Sequence, residues 1–278
     1  MRRLIAAAVA AAFAAGCGGS AEPQPERVTV ATGGKGGIYA VYGAAYARAI
    51  SRDLPGYRGA SVATSGSVEN LLRLRDGRAD VALTLGDTAL DAVEGREAFG
   101  RPVPLRVLAQ IYRSYAQVVV PAESPIRALV DLEGKRVSVG SPDSGTMVVA
   151  ERLLSLARVD SRTGLERREL GVDESARALA DGSIDAFFWS GGVPTGALRD
   201  LARRMPIRLL ALGRWSRELR QRFGGVYQSA SIPAGAYPGV TAAVPTVAIP
   251  NYVVVAKAMN APLELHPGAQ RFYDRSAR

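Results

Sequence analysis

Among 278 residues there is one cysteine, Cys17, and one histidine, His266. A single cysteine excludes an intramolecular disulfide framework and a cysteine-based zinc site. The histidine lies late in the chain, in Leu265-His266-Pro267-Gly268, without a second histidine to share a metal, and any Ser-His-Asp chemistry would have to use it. Asp80, Asp87 and Asp185 stand beside strand-like runs, but their spacing implies no acid pair. No catalytic constellation is readable, and neither enzymatic activity nor a cofactor is expected. Also missing are an internal repeat of fixed period and dense basic runs with interleaved aromatics. The formal charge of +9, or +7 without Arg2 and Arg3, is carried mostly by scattered arginines, which argues against nucleic acid as a partner. Such a diffuse balance suits either attraction of anionic solutes and lipid headgroups or a merely solvated surface.

What is present begins with Met1-Arg2-Arg3 and a short apolar run from Leu4 to Gly16, the layout of a signal peptide. That run is shorter than the roughly 20 apolar residues a bilayer span needs. It ends in Ala14-Ala15-Gly16-Cys17, small residues before a cysteine, which resembles the lipobox of bacterial lipoproteins. The expectation is a lipoprotein signal peptide over residues 1–16, lipidation of Cys17 and a Gly/Pro/Glu-rich tether over 17–26. The alternative is a plain secretory signal with an incidental cysteine. Both readings take the protein out of the cytoplasm, to a periplasmic or other extracytoplasmic location.

The remaining roughly 250 residues suffice for one large or two medium domains. Short apolar runs alternate with amphipathic segments, which predicts an α/β fold with parallel-dominated sheets and helices on both faces. Strands are expected at 28–31, 60–63, 79–85, 107–111, 136–140, 184–189 and 207–212, mostly as the continuous apolar runs of buried parallel strands. Ile38, Val41, Tyr42, Ala45, Tyr46, Ala49 and Ile50 share a helix face, as do Val149, Leu153 and Leu156. Tyr115 to Pro121 and Ala243 to Lys257 are extended and proline-bearing, and read as crossings between two lobes. Lobe 1 is then expected at 27–113 and 247–278, lobe 2 at 114–246, with a cleft between them. One continuous doubly wound domain is the alternative.

Four small-residue loops recur after a strand and before a helix. They are Thr32 to Gly37, Thr64 to Ser67, Ser141 to Thr146 and Ser190 to Thr195. At the carboxyl edge of a parallel sheet, where open α/β sheets bind ligands, each leaves the unpaired N–H groups of a helix start pointing outward. Glycine admits close backbone approach, and the positive end of the helix dipole favours a carboxylate or phosphate. Two loops from each lobe would converge on a small anionic solute. Gly34, Gly36 and Gly37 supply backbone donors, Ser67, Ser144 and Thr146 hydroxyls beside Gly145, and Asn70 an amide. Lys35 could pair with a ligand carboxylate, Tyr39 could stack on or bond to it, and Trp189 could wall the cleft. Taken singly, each loop is equally ordinary N-capping and each aromatic an ordinary core residue. The first loop matches neither a dinucleotide fingerprint nor a Walker loop.

These loops also carry a family resemblance. TGGKGGIY at 32–39, TSGSVENLLRL at 64–74, ADVAL at 79–83, DLEGKRVSVGSPDSGT at 131–146, DGSIDAFFWSGGVP at 181–194, IPAGAYPG at 232–239 and LHPGAQRFY at 265–273 together resemble the TAXI family, the extracytoplasmic solute receptors of TRAP transporters. The resemblance implies a periplasmic-binding-protein (Venus-flytrap) fold of two hinged lobes, monomeric and without catalysis. It implies capture of a small organic acid or amino acid, such as glutamate, glutamine or 2-oxoglutarate, for delivery to a TRAP-type membrane permease. Contacts would come from the first loop with Tyr39, from Ser67 and Asn70, from Ser144 to Thr146, and from Trp189. A lipoprotein that senses its ligand for a membrane kinase is the alternative. The chain departs from the family at Lys35, where a small or hydroxyl residue is usual, and at Met259-Asn260-Ala261-Pro262, where a longer helical stretch is usual.

Overall fold

The computed structural model describes residues 24–256. Cys17, His266, the 265–273 motif and the shortened 259–262 segment lie outside the described residues. One ten-stranded mixed sheet runs through the molecule. Its first part comprises β1 (Glu26–Ala31), α1 (Ile38–Asp53), β2 (Tyr57–Val62), α2 (Ser67–Arg75), β3 (Val81–Leu85) and α3 (Gly86–Glu94). The long β4 (Leu105–Pro121) leads into β5 (Arg136–Ser138), α4 (Gly145–Leu156), β6 (Glu166–Arg168), α5 (Val172–Ala180), β7 (Ala186–Gly191), α6 (Gly196–Arg204), β8 (Ile207–Leu209), α7 (Ser216–Phe223) and β9 (Gln228–Ile232). The chain then returns along β10 (Val244–Ala256). The main strand order is β2-β1-β3-β10-β4-β7-β5-β6, with β8 beside β4 and β9 beside β10.

The parallel pairing expected from the apolar runs is found at the two outer ends, β2-β1-β3 and β7-β5-β6. It does not dominate the centre, where β4 and β10 pair antiparallel with each other and with every other neighbour. The reason is geometric: a chain that passes from one lobe to the other on β4 must return on β10. Of the segments read as crossings, residues 115–121 fall in β4 and residues 244–256 make up β10. β10 pairs with β9 through Val244–Ala248 and with β3 through Asn251–Val254. β4 correspondingly takes up β7 from Tyr115 onward. The exchange of partners therefore occurs near residues 112–115 and 248–251, beside a register shift at Asn251/Tyr252. The result is a two-lobed α/β fold whose lobes share two continuous strands.

Period-two alternation divides each lobe's core between the two sheet faces. In the second lobe Val118, Val120 and Phe188 pack under Val149 and Leu153 of α4, whereas Val119 and Phe187 pack under Val172, Ala176 and Leu179 of α5 and Leu198 and Leu201 of α6. In the first lobe Ala82 and Val254 face α2 and α3, and Val81, Leu83 and Val253 face α1. Every residue of β3 is buried, which explains its unbroken apolar sequence. The expected strand at 136–140 stops at Ser138, because Gly140 turns the chain with φ +102°. Among the described residues no helix is long and apolar enough to cross a membrane.

Candidate functional site

Between the lobes, at the carboxyl edge of the outer strands, lies a cavity of about 460 Å³, a size suited to a small metabolite. Its walls include all four small-residue loops. Gly34, Lys35, Gly36, Gly37 and Tyr39 line it from α1 and the loop before it, Ser67 from the start of α2, Ser144, Gly145 and Thr146 from the start of α4, and Trp189 from β7. Asn70 does not reach it. Fully buried, Asn70 donates to the carbonyls of Thr32 at 2.6 Å and Leu83 at 2.7 Å and accepts from the Thr64 hydroxyl at 2.6 Å. It ties the first two loops together beneath the cavity floor. Asn70→Leu should therefore destabilise the protein by about 1–3 kcal/mol, because three buried polar groups lose a partner. A denaturant melt with an unchanged midpoint would refute this role.

The polar walls are organised by helix starts. Gly37 and Gly66 precede α1 and α2 without a side-chain cap, but the Gly37 N–H, expected to meet a ligand, is taken by the Gly34 carbonyl at 3.0 Å. Gly66 holds φ +136°, which favours glycine, and a Cβ there would stand 3.5 Å from Ser144 Cα. Ser144 caps α4 in the ordinary way, accepting from the Met147 N–H at 3.1 Å. The Ser67 hydroxyl accepts from the Leu85 N–H at 3.0 Å, and that of Thr146 from the Ser190 N–H at 3.2 Å. Each of these hydroxyls keeps its own proton to donate.

The aromatics are anchored by their polar ends. Tyr39 donates to Asn251 Oδ1 at 2.6 Å, and the Asn251 amide donates to Ser114 Oγ at 2.9 Å, so this cavity wall is bonded to the segment where the strands exchange partners. Burial, reinforced by nearby Tyr112, pushes the Tyr39 phenol well above its usual range and keeps it a neutral donor. Trp189 donates from Nε1 to Thr195 Oγ1 at 2.8 Å, and the outer edge of its ring lies toward the first loop, Cη2 standing 3.6 Å from where a Cβ on Gly37 would be.

Sequence reasoning did not single out the wall built by Gly171 to Glu174 and Arg177 at the start of α5, nor Leu85 and Tyr112, and it named Ser190 only as the opening of the fourth loop. A signal for α5 existed. Glu174 Oε2 accepts from the Gly171 N–H at 3.1 Å, the glutamate half of a capping box, which marks one more helix start at the sheet edge.

Contacts across the cleft bring the lobes together. The Glu69 N–H on α2 donates to the Asp143 carbonyl at 3.0 Å. A Cβ on Gly145 would stand 2.6 Å from Leu85 Cδ1 and 2.7 Å from Ser67 Oγ, and one on Gly36 would stand 2.2 Å from Asp173 Oδ2. Deeper in the interface, Arg152 of α4 donates to Asp87 and Asp91 of α3 and, at 2.8 Å, to the Tyr227 hydroxyl, which itself donates to Asp87 at 2.6 Å.

Three solved structures are similar to the chain. An ancestral arginine-binding protein bound to arginine superposes with TM-score 0.55 at 14% identity, over 91% of this chain and 95% of that one. The substrate-binding protein of an amino acid ABC transporter gives 0.50 at 13%, over 90% and 94%. The periplasmic aliphatic sulphonate-binding protein of Escherichia coli gives 0.45 at 20%, over 67% of this chain, which spans 60% of that protein's length. At these identities the first two establish a shared periplasmic-binding-protein fold. The model of the NMT1-like family matches residues 30–263, most of the sequence, and the chain belongs to that family.

Proposed function

We propose that the protein is an extracytoplasmic solute-binding protein, a non-enzymatic receptor that closes on a small organic acid or amino acid and delivers it to a membrane permease. The observation that carries this reading is the convergence of four helix-start loops, two from each lobe, on one cavity between lobes joined by two continuous strands. Backbone amides, three hydroxyls and the positive ends of α1, α2 and α4 make that cavity a receptor for an acid group. The contacts are assigned to the first loop with Lys35 and Tyr39, to Ser67, to Ser144 through Thr146, and to Trp189. The lobes divide near residues 113 and 247. The resemblance to TAXI receptors favours a TRAP-type carrier as the partner, glutamate, glutamine or 2-oxoglutarate as the ligand type, and attachment to the membrane through a lipid on Cys17.

The direct test is thermal denaturation of the purified protein against a panel of amino acids, mono- and dicarboxylates, phosphates and sulfonates. A ligand held between lobes stabilises the closed form by mass action, so saturation at about 100 times Kd should add about 2.7 kcal/mol. Absence of any shift across the panel would sink the receptor reading. The intact mass of protein recovered from membranes reports separately whether Cys17 carries a lipid.

A further inference from the structure

The wall contributed by α5 puts a carboxylate where a receptor for a plain anion should have none. Asp173, half-buried at the second position of α5, stands against the first loop, its Oδ2 2.2 Å from where a Cβ on Gly36 would lie. Among the described residues it forms neither a hydrogen bond nor an ion pair. Glu174 beside it is occupied with the Gly171 N–H. Lys35 and Arg177 line the same cavity but are exposed, and neither forms an ion pair with Asp173. A second group is also left without a partner. Ser190 Oγ is buried on the cavity wall and makes no hydrogen bond, while the Ser190 N–H donates to Thr146 Oγ1 at the start of α4. More than nine-tenths of Ser190 is removed from solvent. A buried hydroxyl without a partner is uncommon unless something absent from the structure satisfies it.

The two unpartnered groups differ in what they can receive. Ser190, next to the amides that open α4, can donate to a carboxylate in a place where the helix dipole favours negative charge. Asp173 can only accept, and it repels a second anionic group while attracting a cation. We propose that the bound solute is a small amino acid, its carboxylate received by the start of α4 with Ser190 and its protonated amine received by Asp173. Asp173 is then the residue that separates amino acids from amine-free acids of the same skeleton. This rests on the reading of the cavity as the receptor site and narrows its ligand class.

The test is calorimetric titration of the full-length protein with matched pairs: L-glutamate against glutarate, L-glutamine against glutaramate, and L-alanine against propionate. The amino member of the best-binding pair should bind at least about tenfold tighter, as expected for a charge-assisted bond at a partly desolvated site. Asp173→Asn should collapse that ratio to about threefold or less, whereas Ser190→Ala should weaken both members alike. The wild-type ratio decides the matter even if a variant folds poorly. Equal affinity for both members overturns the assignment, as does preferential binding of a phosphate, sulfonate or amine-free acid, and either result leaves the receptor reading standing. Failure of every panel compound to bind would instead remove the receptor reading itself.

Discussion

Arg152→Met should lower the unfolding free energy by about 3–5 kcal/mol, the usual cost of removing one partner from a buried ion cluster. Arg152 is 6% exposed, Asp87 and Asp91 are essentially inaccessible, and the guanidinium also lies 4.8 Å from the Phe223 ring centroid. Without the cation two carboxylates from one face of α3 remain buried together. Asp91 is already held above the ordinary carboxylate range, first by burial, with Arg152 opposing that rise and Asp87 adding to it. Losing Arg152 raises it further. A carboxyl that binds its proton more tightly folded than unfolded favours the folded state as pH falls through the raised range. The gap between variant and wild type should therefore narrow on going from neutral pH toward about pH 5, as read by denaturant melts at each pH. Adding Asp87→Asn and Asp91→Asn to the variant should recover much of the loss at neutral pH. A variant as stable as wild type would show that the cluster does not hold the lobes together.

Little of this cluster could be read from the sequence, and the reason is physical. Hydrophobic period reports which face of an element is buried, so the longer apolar strands and the helix faces at 38–50 and 149–156 were legible, whereas the short polar strands β6 and β9 were not. It does not report which buried polar residues meet across a chain separation of 65 residues, as Arg152 and Asp87 do. Arg152 is a charged residue beside the apolar helix face of Val149, Leu153 and Leu156, and α3 follows β3 at Gly86 with no capping residue or loop to announce it. The single strand β4 read as two pieces because Tyr112, Arg113 and Ser114 interrupt its apolar run. That interruption is where its partners change and where Ser114 bonds to Asn251. The cavity between the lobes was more legible, since glycine and hydroxyl residues before helices mark the places where backbone donors are exposed. Asn70 followed the same pattern yet braces the loops from below. Its helix position could not distinguish a wall residue from a strut.

Gly145→Val should weaken binding of any solute held between the lobes by about 5- to 150-fold, with a smaller effect on global stability. Gly145 opens α4 on the second lobe, and its missing side chain is what lets Leu85 and Ser67 of the first lobe approach. Both neighbours are buried, Leu85 packs into the second lobe's core, and Ser67 is fixed by the Leu85 amide. Neither can swing aside as the end of a long surface side chain would. Overpacking of such a contact costs about 1–3 kcal/mol, and each 1.4 kcal/mol taken from the closed form is tenfold in affinity. The protein can relieve the clash by parting the lobes instead of unfolding, so the penalty falls on closure and thus on affinity. Gly196→Val is the control, because nothing lies within 4 Å of a Cβ there and the residue does not line the cavity. Calorimetric affinity and the small-angle scattering radius, measured with and without ligand, separate the two variants. The Gly145 variant should stay expanded in both states, while the control should compact on binding as the wild type does. If the Gly145 variant binds and compacts normally, the lobes do not close through the contact between α2 and α4, and the loops at the cavity would have to meet their ligand without it.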